Sequence, residues 1–353
     1  MSQQFLPTTM KALVIQSNKM AKLEEVPIPQ IEDHEILVKN VTLALNPTDW
    51  LNINGGKPGT ILGADFAGIV VKVGANVTNV AIGDKVEGFV QGGSLKDEGA
   101  FGEYAKTDGE LVWKIPDATL SFEEDVTMGC AFWTAAQALF HPTRLGLAEP
   151  PAKVDHEEWI LIYGGSSSVG MFAVQLAHLA GYRVVSLASP RNFELVKTFG
   201  ADAVFDYKDP DVVSKVKAAT GDSIHRGFDT ISKSSSQILS AKFFAPSPGK
   251  LIVILIPEST VKDIKPDLDL QLTLIYTVQG RSFDFFNTYF ETSLEDKAHM
   301  VQFLKKVPGL VKEGKVRPNP VKLWPGTGLE TIHEGMQYMK EGKISVEKVV
   351  HRL

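Results

Sequence analysis

The sequence predicts an α/β protein of two parts, a β-rich, barrel-like domain and a doubly wound domain on a parallel sheet. Residues 10–112 read as short strands between glycine turns, whereas residues 159–256 alternate strand and helix at βαβ spacing. The length agrees: 353 residues make about two domains at roughly 100–200 residues each.

In the first part the clearest strands are 11–15, 35–39 and 68–73, with Gly55-Gly56, Gly83-Asp84 and Gly92-Gly93 at turns. Trp50 follows Asp49 in a predicted loop. Ser121, with Glu123, Glu124 and Asp125 behind it, predicts a capped helix start. Strands are then predicted at 159–163, 183–187, 203–205, 227–231 and 250–256, and helices at 169–180, 192–199 and 211–219. The near-continuous apolar run 251–256 suits a sheet covered on both faces. Beyond Gly280 come Phe283, Phe285, Phe286 and Phe290, helices around 297–307 and 329–340, and a closing strand at 348–350.

Composition removes several function classes. Hydrophobic residues at 44% and charged residues at 22% are ordinary for a globular chain. With 36 Lys and Arg against 42 Asp and Glu, the net charge of −6 leaves no basic surplus for a nucleic-acid backbone, and no nucleic-acid partner is expected. A single cysteine, Cys130, excludes an intramolecular disulfide and a zinc site built on three or four thiolates. The eight histidines do not cluster at metal-ligand spacing, so no metal is expected. No run reaches about 18 apolar residues. The first residues lack the features of a secretory signal, and the last three are not Ser-Lys-Leu. These features predict a soluble, cytoplasmic protein with no membrane partner.

The strongest chemical signal is Gly164-Gly165-Ser166-Ser167-Ser168-Val169-Gly170, between a predicted strand and a predicted helix. Small residues there let backbone N–H groups approach a pyrophosphate, and the helix N-terminus adds partial positive charge. Counted from Gly165, the second glycine of G-x-G-x-x-G is replaced by Ser167, while Gly170 still permits close helix–strand packing. Such a turn also suits an ordinary α/β connection, but the complete βαβ series behind it favours a dinucleotide. The end of the second strand, Ser186-Leu187-Ala188-Ser189-Pro190-Arg191-Asn192, carries no carboxylate for the ribose hydroxyls. A hydroxyl, a guanidinium and an amide suit a 2′-phosphate, which favours NADPH. The alternative is that Ser189 and Asn192 cap the next helix and Arg191 is solvated.

Several motifs follow one another along nearly the whole chain. They are Asn46-Pro47-Thr48-Asp49, Gly63-Ala64-Asp65-Phe66-Ala67-Gly68, Val73-Gly74 with Gly83-Asp84-Lys85-Val86, Gly99-Ala100-Phe101-Gly102-Glu103-Tyr104, the glycine turn, and Gly200-Ala201-Asp202-Ala203-Val204-Phe205-Asp206-Tyr207. In this order they resemble the medium-chain dehydrogenase/reductases. The resemblance implies a GroES-like β-barrel catalytic domain from residues 1–125 and 283–353, a Rossmann NADPH-binding domain at 126–282, and catalysis in the cleft. Zinc alcohol dehydrogenases of that superfamily carry a Cys before a Thr/Ser-Asp pair and a Gly-His-Glu motif, where this chain has Asn46 and Gly63-Ala64-Asp65. With neither thiolate nor imidazole there, zinc is not expected, and the stretch Asn46-Pro47-Thr48-Asp49-Trp50 and the serine-rich turn look most like those of the zinc-independent fungal trans-acting enoyl reductases, their ToxD-like relatives and yeast aldehyde reductases. Without a Lewis acid, hydride transfer to a conjugated carbon, whose charge spreads into an enolate, is the expected chemistry.

The activity so implied is NADPH-dependent, zinc-independent reduction of an activated C=C. Aldehyde or quinone reduction is the alternative, and a cofactor-binding protein with little catalysis is the reading from a different class. The substrate would be a small molecule or acyl thioester with a conjugated carbonyl, with a partner synthase possible and a monomer or homodimer expected. By resemblance, Thr48, Asp49, Trp50, Leu51 and Thr134 lie near the nicotinamide, and Ser166, Ser167, Ser168 and Val169 hold the pyrophosphate. Ser189, Arg191, Asn192 and Tyr207 meet the 2′-phosphate side. Ile254 and Leu255 pack on the nicotinamide side, and Ser345 and Val346 close it. Leu51 stands where relatives often carry lysine.

Catalytic roles are expected of Trp50, Thr134 and, as proton donor, Tyr276. Plainer roles compete: Trp50 as core packing, Thr134 bonding its own helix backbone, Tyr207 as a surface tyrosine. The Phe283, Phe285, Phe286 and Phe290 cluster suits a substrate pocket, a dimer contact or core filling alike. Asp65 is read as making a structural hydrogen bond to nearby backbone, with catalysis the alternative.

Overall fold

The computed structural model describes residues 6–285 and 288–353, so Phe286 lies outside the described residues. It divides into two units: the chain up to Cys130 together with Tyr276–Leu353, and Ala131–Ile275. The expected boundaries at 125/126 and 282/283 therefore shift by five residues (125 to 130) and seven (283 to 276). Packing explains both shifts. Val126 is buried with Ala44, Ala67, Ile115 and Val350, and the Tyr276 ring stacks on Phe89.

The first unit is the GroES-like one. Its seven-stranded sheet runs Val321–Thr327, Lys348–Arg352, Glu35–Ala44, Asp65–Val73, Lys85–Phe89, Val112–Lys114, with Tyr104–Asp108 also pairing with Glu35–Ala44. Both ends of the chain build its core: Ile36, Val38, Phe66, Val86 and Phe101 pack with Ile332, Met336 and Val349. The predicted loop at Trp50 is instead a helix, Pro47–Gly55. Proline at its first position needs no backbone donor there, and the Asp49 carboxylate accepts the Asn46 N–H at 2.6 Å. Ser121 caps only one α-helical turn, Phe122–Asp125.

The second unit is a Rossmann domain. Its six parallel strands lie in the order Ala203–Asp206, Arg183–Ala188, Trp159–Tyr163, Arg226–Asp229, Gly249–Val253, Leu268–Leu272. In chain order that is 3-2-1-4-5-6, whose switch point lies between the first and fourth strands. Leu161, Val185, Leu187, Leu251 and Val253 from three of these strands form the core with Phe243 and Phe244. The strand predicted at 250–256 stops at Val253. There the Ile254 N–H turns to the Ser232 hydroxyl at 2.8 Å, leaving Leu255 and Ile256 46% and 85% exposed. The helix Ser234–Lys242 and the strands Leu268–Leu272 and Val321–Thr327 lay outside the predicted set. Among the described residues no helix is long and apolar enough to cross a membrane.

Candidate active site

The glycine turn leaves the first Rossmann strand at the switch point and opens the helix Ser168–Leu179. Its tightness is visible in what a side chain would strike. A Cβ on Gly165 would sit 2.1 Å from Ser186 Oγ, and one on Gly170 would sit 2.1 Å from the Gly164 carbonyl oxygen. Gly164 has φ +83°, a conformation that glycine adopts without penalty. The Ser167 hydroxyl is engaged in capping: it accepts the Gly170 N–H at 2.9 Å and lies 2.8 Å from the Thr230 hydroxyl. Thr230 in turn donates to the Tyr163 carbonyl at 2.9 Å. This small-residue cradle at a helix N-terminus suits a pyrophosphate, with Ser166, Ser168 and Val169 half-buried around it.

The residues read for the 2′-phosphate side gather beyond the second strand. Ser189 begins a single 3₁₀ turn, Pro190–Asn192, in which the Asn192 N–H donates to the Ser189 carbonyl at 2.9 Å. The Ser189 hydroxyl lies 3.4 Å from the Tyr207 hydroxyl, and Arg191 is exposed. Tyr207 is half-buried, its ring tilted against Tyr163 at 6.3 Å. A hydroxyl pair thus stands where an NAD site would carry a carboxylate, with Arg191 in the turn that follows the strand.

One loop escaped the sequence reading. Asp229, at the end of the fourth strand, accepts the Ile231 and Ser232 N–H groups at 2.9 and 2.8 Å and the Ser236 hydroxyl at 2.6 Å. Burial still pushes its carboxyl above the usual range. The local signal was an Asp followed by a Thr and two positions later a Ser, the pattern of a side-chain-closed turn.

In the first unit the helix Pro47–Gly55 carries Thr48, Asp49, Trp50 and Leu51. The Thr48 and Tyr276 hydroxyls are in direct hydrogen-bonding contact. Tyr276 is buried, its ring packed on Phe89 at 5.8 Å, Phe285 at 5.1 Å and Phe283 at 5.9 Å. Burial raises its phenol well above the ordinary value, so the group is an O–H donor at neutral pH. Trp50 is half-buried against the core, with the Lys340 ammonium 5.6 Å from its ring centroid. Burial also raises the Asp49 carboxyl well above its usual range. Ser345 and Val346 precede the last strand, and Val346 has φ +59°. In the second unit Thr134 is buried within the helix Cys130–Phe140, Ile254 is half-buried and Leu255 is exposed.

Asn46 and Asp65 meet in the interior of the first unit. The Asn46 amide donates to Asp65 Oδ2 at 2.8 Å and accepts from Lys348 Nζ at 2.5 Å. Lys348 Nζ lies 2.9 Å from the same carboxylate oxygen, while Asp65 Oδ1 accepts the Cys130 N–H at 2.7 Å. One oxygen of Asp65 bonds backbone, as its structural reading expects, while the other meets the Asn46 and Lys348 side chains; Lys348 was missed. Among the described residues, no three His, Cys, Asp or Glu side chains are placed to hold a metal ion.

Two known families match successive stretches of the chain. Residues 32–117 match the alcohol dehydrogenase GroES-like domain, and residues 168–294 match the family called zinc-binding dehydrogenase. The trans-enoyl reductase ACTTS2 of Alternaria alternata is 37% identical over 98% of this chain and 99% of its own. A zinc-type alcohol dehydrogenase-like protein of Schizosaccharomyces pombe is 36% identical over 98% and 100%. A solved structure of a putative zinc-dependent alcohol dehydrogenase from Rhizobium etli superposes with a TM-score of 0.80 at 26% identity, covering 98% of each chain.

Proposed function

Because the chain belongs to the medium-chain dehydrogenase/reductase superfamily, oxidoreductases that work with a nicotinamide cofactor, we propose that it is an NADPH-dependent, zinc-independent reductase of activated C=C bonds. Its substrate class is the α,β-unsaturated acyl thioester or enone, the former in keeping with relatives named trans-enoyl reductases.

The observation that carries this reading is the donor set around Asn46. The family name of the second match implies zinc, but the residues do not fit it. Asn46 offers an amide oxygen already bonded to an ammonium, Ala64 offers no donor, and Asp65 is bonded to Lys348, Asn46 and the Cys130 N–H. A reaction that places negative charge on carbon and spreads it into an enolate suits such a site better than one that needs a Lewis acid at oxygen.

The glycine turn, with Ser166, Ser168 and Val169, would hold the pyrophosphate, and Ser189, Arg191, Asn192 and Tyr207 the 2′-phosphate. Thr48, Asp49, Trp50, Leu51, Thr134, Ile254, Leu255, Ser345 and Val346 supply the nicotinamide side in this reading. Bound there, NADPH supplies a hydride for the β-carbon of the alkene. The chain's contribution to the second half of the reaction is a proton. The Tyr276 phenol, in contact with the Thr48 hydroxyl, is the donor in this reading, a two-hydroxyl pair through which the proton is passed. Trp50 contributes an aromatic wall and Thr134 a hydroxyl. The same hydroxyl pair is the observation that favours carbonyl reduction as the second reading, since a carbonyl oxygen also needs a proton.

NADPH consumption measured with a crotonyl-type thioester, a 2-alkenal, a quinone and a saturated aldehyde tests the reading. Turnover of the conjugated substrates is expected. Turnover confined to the saturated aldehyde contradicts the alkene assignment, and tight NADPH binding without turnover on any of them contradicts the enzyme assignment.

A further inference from the structure

Three element starts of the first unit converge on one buried ammonium. Lys348 opens the strand Lys348–Arg352, Asp65 opens Asp65–Val73, and Asn46 precedes the helix Pro47–Gly55. Lys348 is 2% exposed, Asp65 is fully buried and Asn46 is 4% exposed, so the three polar groups meet out of water. Lys348 Nζ bonds both Asn46 Oδ1 and Asp65 Oδ2, and Asn46 Nδ2 closes the triangle on Asp65. The Asn46 N–H is held in turn by Asp49, one residue beyond Thr48.

Two features suggest that this triangle does more than fill space. Replacing a buried ion pair by well-packed apolar residues is often neutral or stabilising, so stability alone does not call for a lysine here. Two residues before Lys348, Val346 holds φ +59°, a left-handed conformation that costs a β-branched residue energy and persists only where neighbouring structure enforces it. The fixed Lys348 side chain and the pairing of Leu45 N–H with the Val349 carbonyl at 2.9 Å are the enforcing contacts on that side.

We propose that Lys348 is a positioning residue. By tying Asn46 to Asp65 its ammonium fixes residues 48–51 and the strained Ser345-Val346 segment, the two stretches of this unit read as walls for the nicotinamide. It thereby supplies, as a built-in cation, the organising charge that a metal would otherwise bring to this network. This inference rests on the nicotinamide assignment above, and not on the identity of the substrate.

The test compares Lys348→Met, Lys348→Arg and the double variant Asp65→Asn/Lys348→Met. The single Met variant strands a buried carboxylate and is at risk of unfolding; the double variant removes both charges and keeps the test decisive. Two readouts are taken on folded protein, confirmed by circular dichroism. One is affinity for NADPH beside that for 2′-phospho-ADP-ribose, a fragment lacking the nicotinamide; the other is kcat on the best substrate.

The expected result is a folded double variant with unchanged affinity for the fragment, weaker NADPH binding and a kcat lower by about 100-fold, the scale of an ångström-level misplacement. Lys348→Arg is expected to recover most of the loss. A folded double variant whose NADPH and fragment affinities stay equal to wild type, or fall together, overturns the proposal. If the wild type binds NADPH but reduces none of the substrates, the function assigned above fails, while the binding comparison still decides this inference.

Discussion

Asp125 is a residue whose burial is poorly compensated. Neither carboxylate oxygen has a hydrogen-bond partner, and desolvation raises its pKa to about 8. His351 is buried in the same unit, and desolvation lowers its pKa to about 4. Their pH dependences have opposite signs. A carboxyl raised in the folded state contributes stability that is complete below its unfolded pKa and is lost as pH rises through about 8. A histidine lowered in the folded state costs stability as pH falls from 6.5 toward 4, because the unfolded chain takes up the proton first. The two largely cancel between pH 4 and 6.5, and above that His351 no longer offsets Asp125. Stability is therefore expected to fall by about 1.4 kcal/mol per pH unit between pH 6.5 and 8 on account of Asp125. Asp49 and Glu87, also raised by burial, act in the same direction. Urea unfolding of Asp125→Asn beside wild type checks this: the variant should be the more stable at pH 8 and above, with the gap closing toward pH 5. A gap independent of pH would show that Asp125 does not titrate in this range. Arg191→Ala should weaken NADPH by roughly 10- to 100-fold, the scale of a charge-assisted hydrogen bond, with little effect on NADH. Equal losses for the two cofactors, read by fluorescence titration, would remove Arg191 from the 2′-phosphate. The position of Arg191 in the turn after the second strand was legible because its neighbours in sequence define it. Lys348 was not, because its partner Asn46 lies 302 positions away.

Among the elements, the glycine turn makes the sharpest prediction. Gly170→Ala drives a Cβ against the Gly164 carbonyl, a backbone atom that cannot rotate aside, and should destabilise by about 1–3 kcal/mol while weakening the cofactor. Gly309→Ala, in the helix Val307–Lys312 with no atom within 4 Å of the new Cβ, should be neutral or stabilise by up to about 1 kcal/mol. Thermal unfolding that ranks the two the other way would refute the close-packing role of Gly170. The elements that escaped prediction each have a local cause. Helix Ser234–Lys242 opens on three serines, which read as a loop, and Val321–Thr327 contains Pro325 and Gly326, which read as a turn. Leu268–Leu272 alternates apolar and polar residues like a half-exposed strand because it is the sheet's edge, with only one neighbour. The run at 250–256 was overextended for the opposite reason: apolar sequence continues past Val253, but its backbone partner becomes the Ser232 hydroxyl.

For the whole molecule, the discontinuous layout was legible because motif order, not local propensity, carries it. Residues from both ends of the chain supply one core, as Phe66 and Val86 packing with Ile332 and Val349 demonstrate. The exact boundaries were not legible, since one falls inside the helix Cys130–Phe140, between its first and second residues. Nor was the interior charge network, whose members come from Asn46, Asp65 and Lys348 and whose meaning depends on their meeting. In the function proposed above, it is this network that sets the chain's chemistry apart from that implied by the name zinc-binding dehydrogenase. The most direct test of that chemistry is the destination of the hydride. NADPH carrying deuterium on the transferable C4 position is oxidised with a crotonyl-type thioester, and the product is analysed by NMR and mass spectrometry. The expected product is a saturated thioester with deuterium on the β-carbon, in enzyme stripped of metal by a chelator as in untreated enzyme. Deuterium on the former carbonyl carbon, or turnover that vanishes with chelation and returns with zinc, would contradict it.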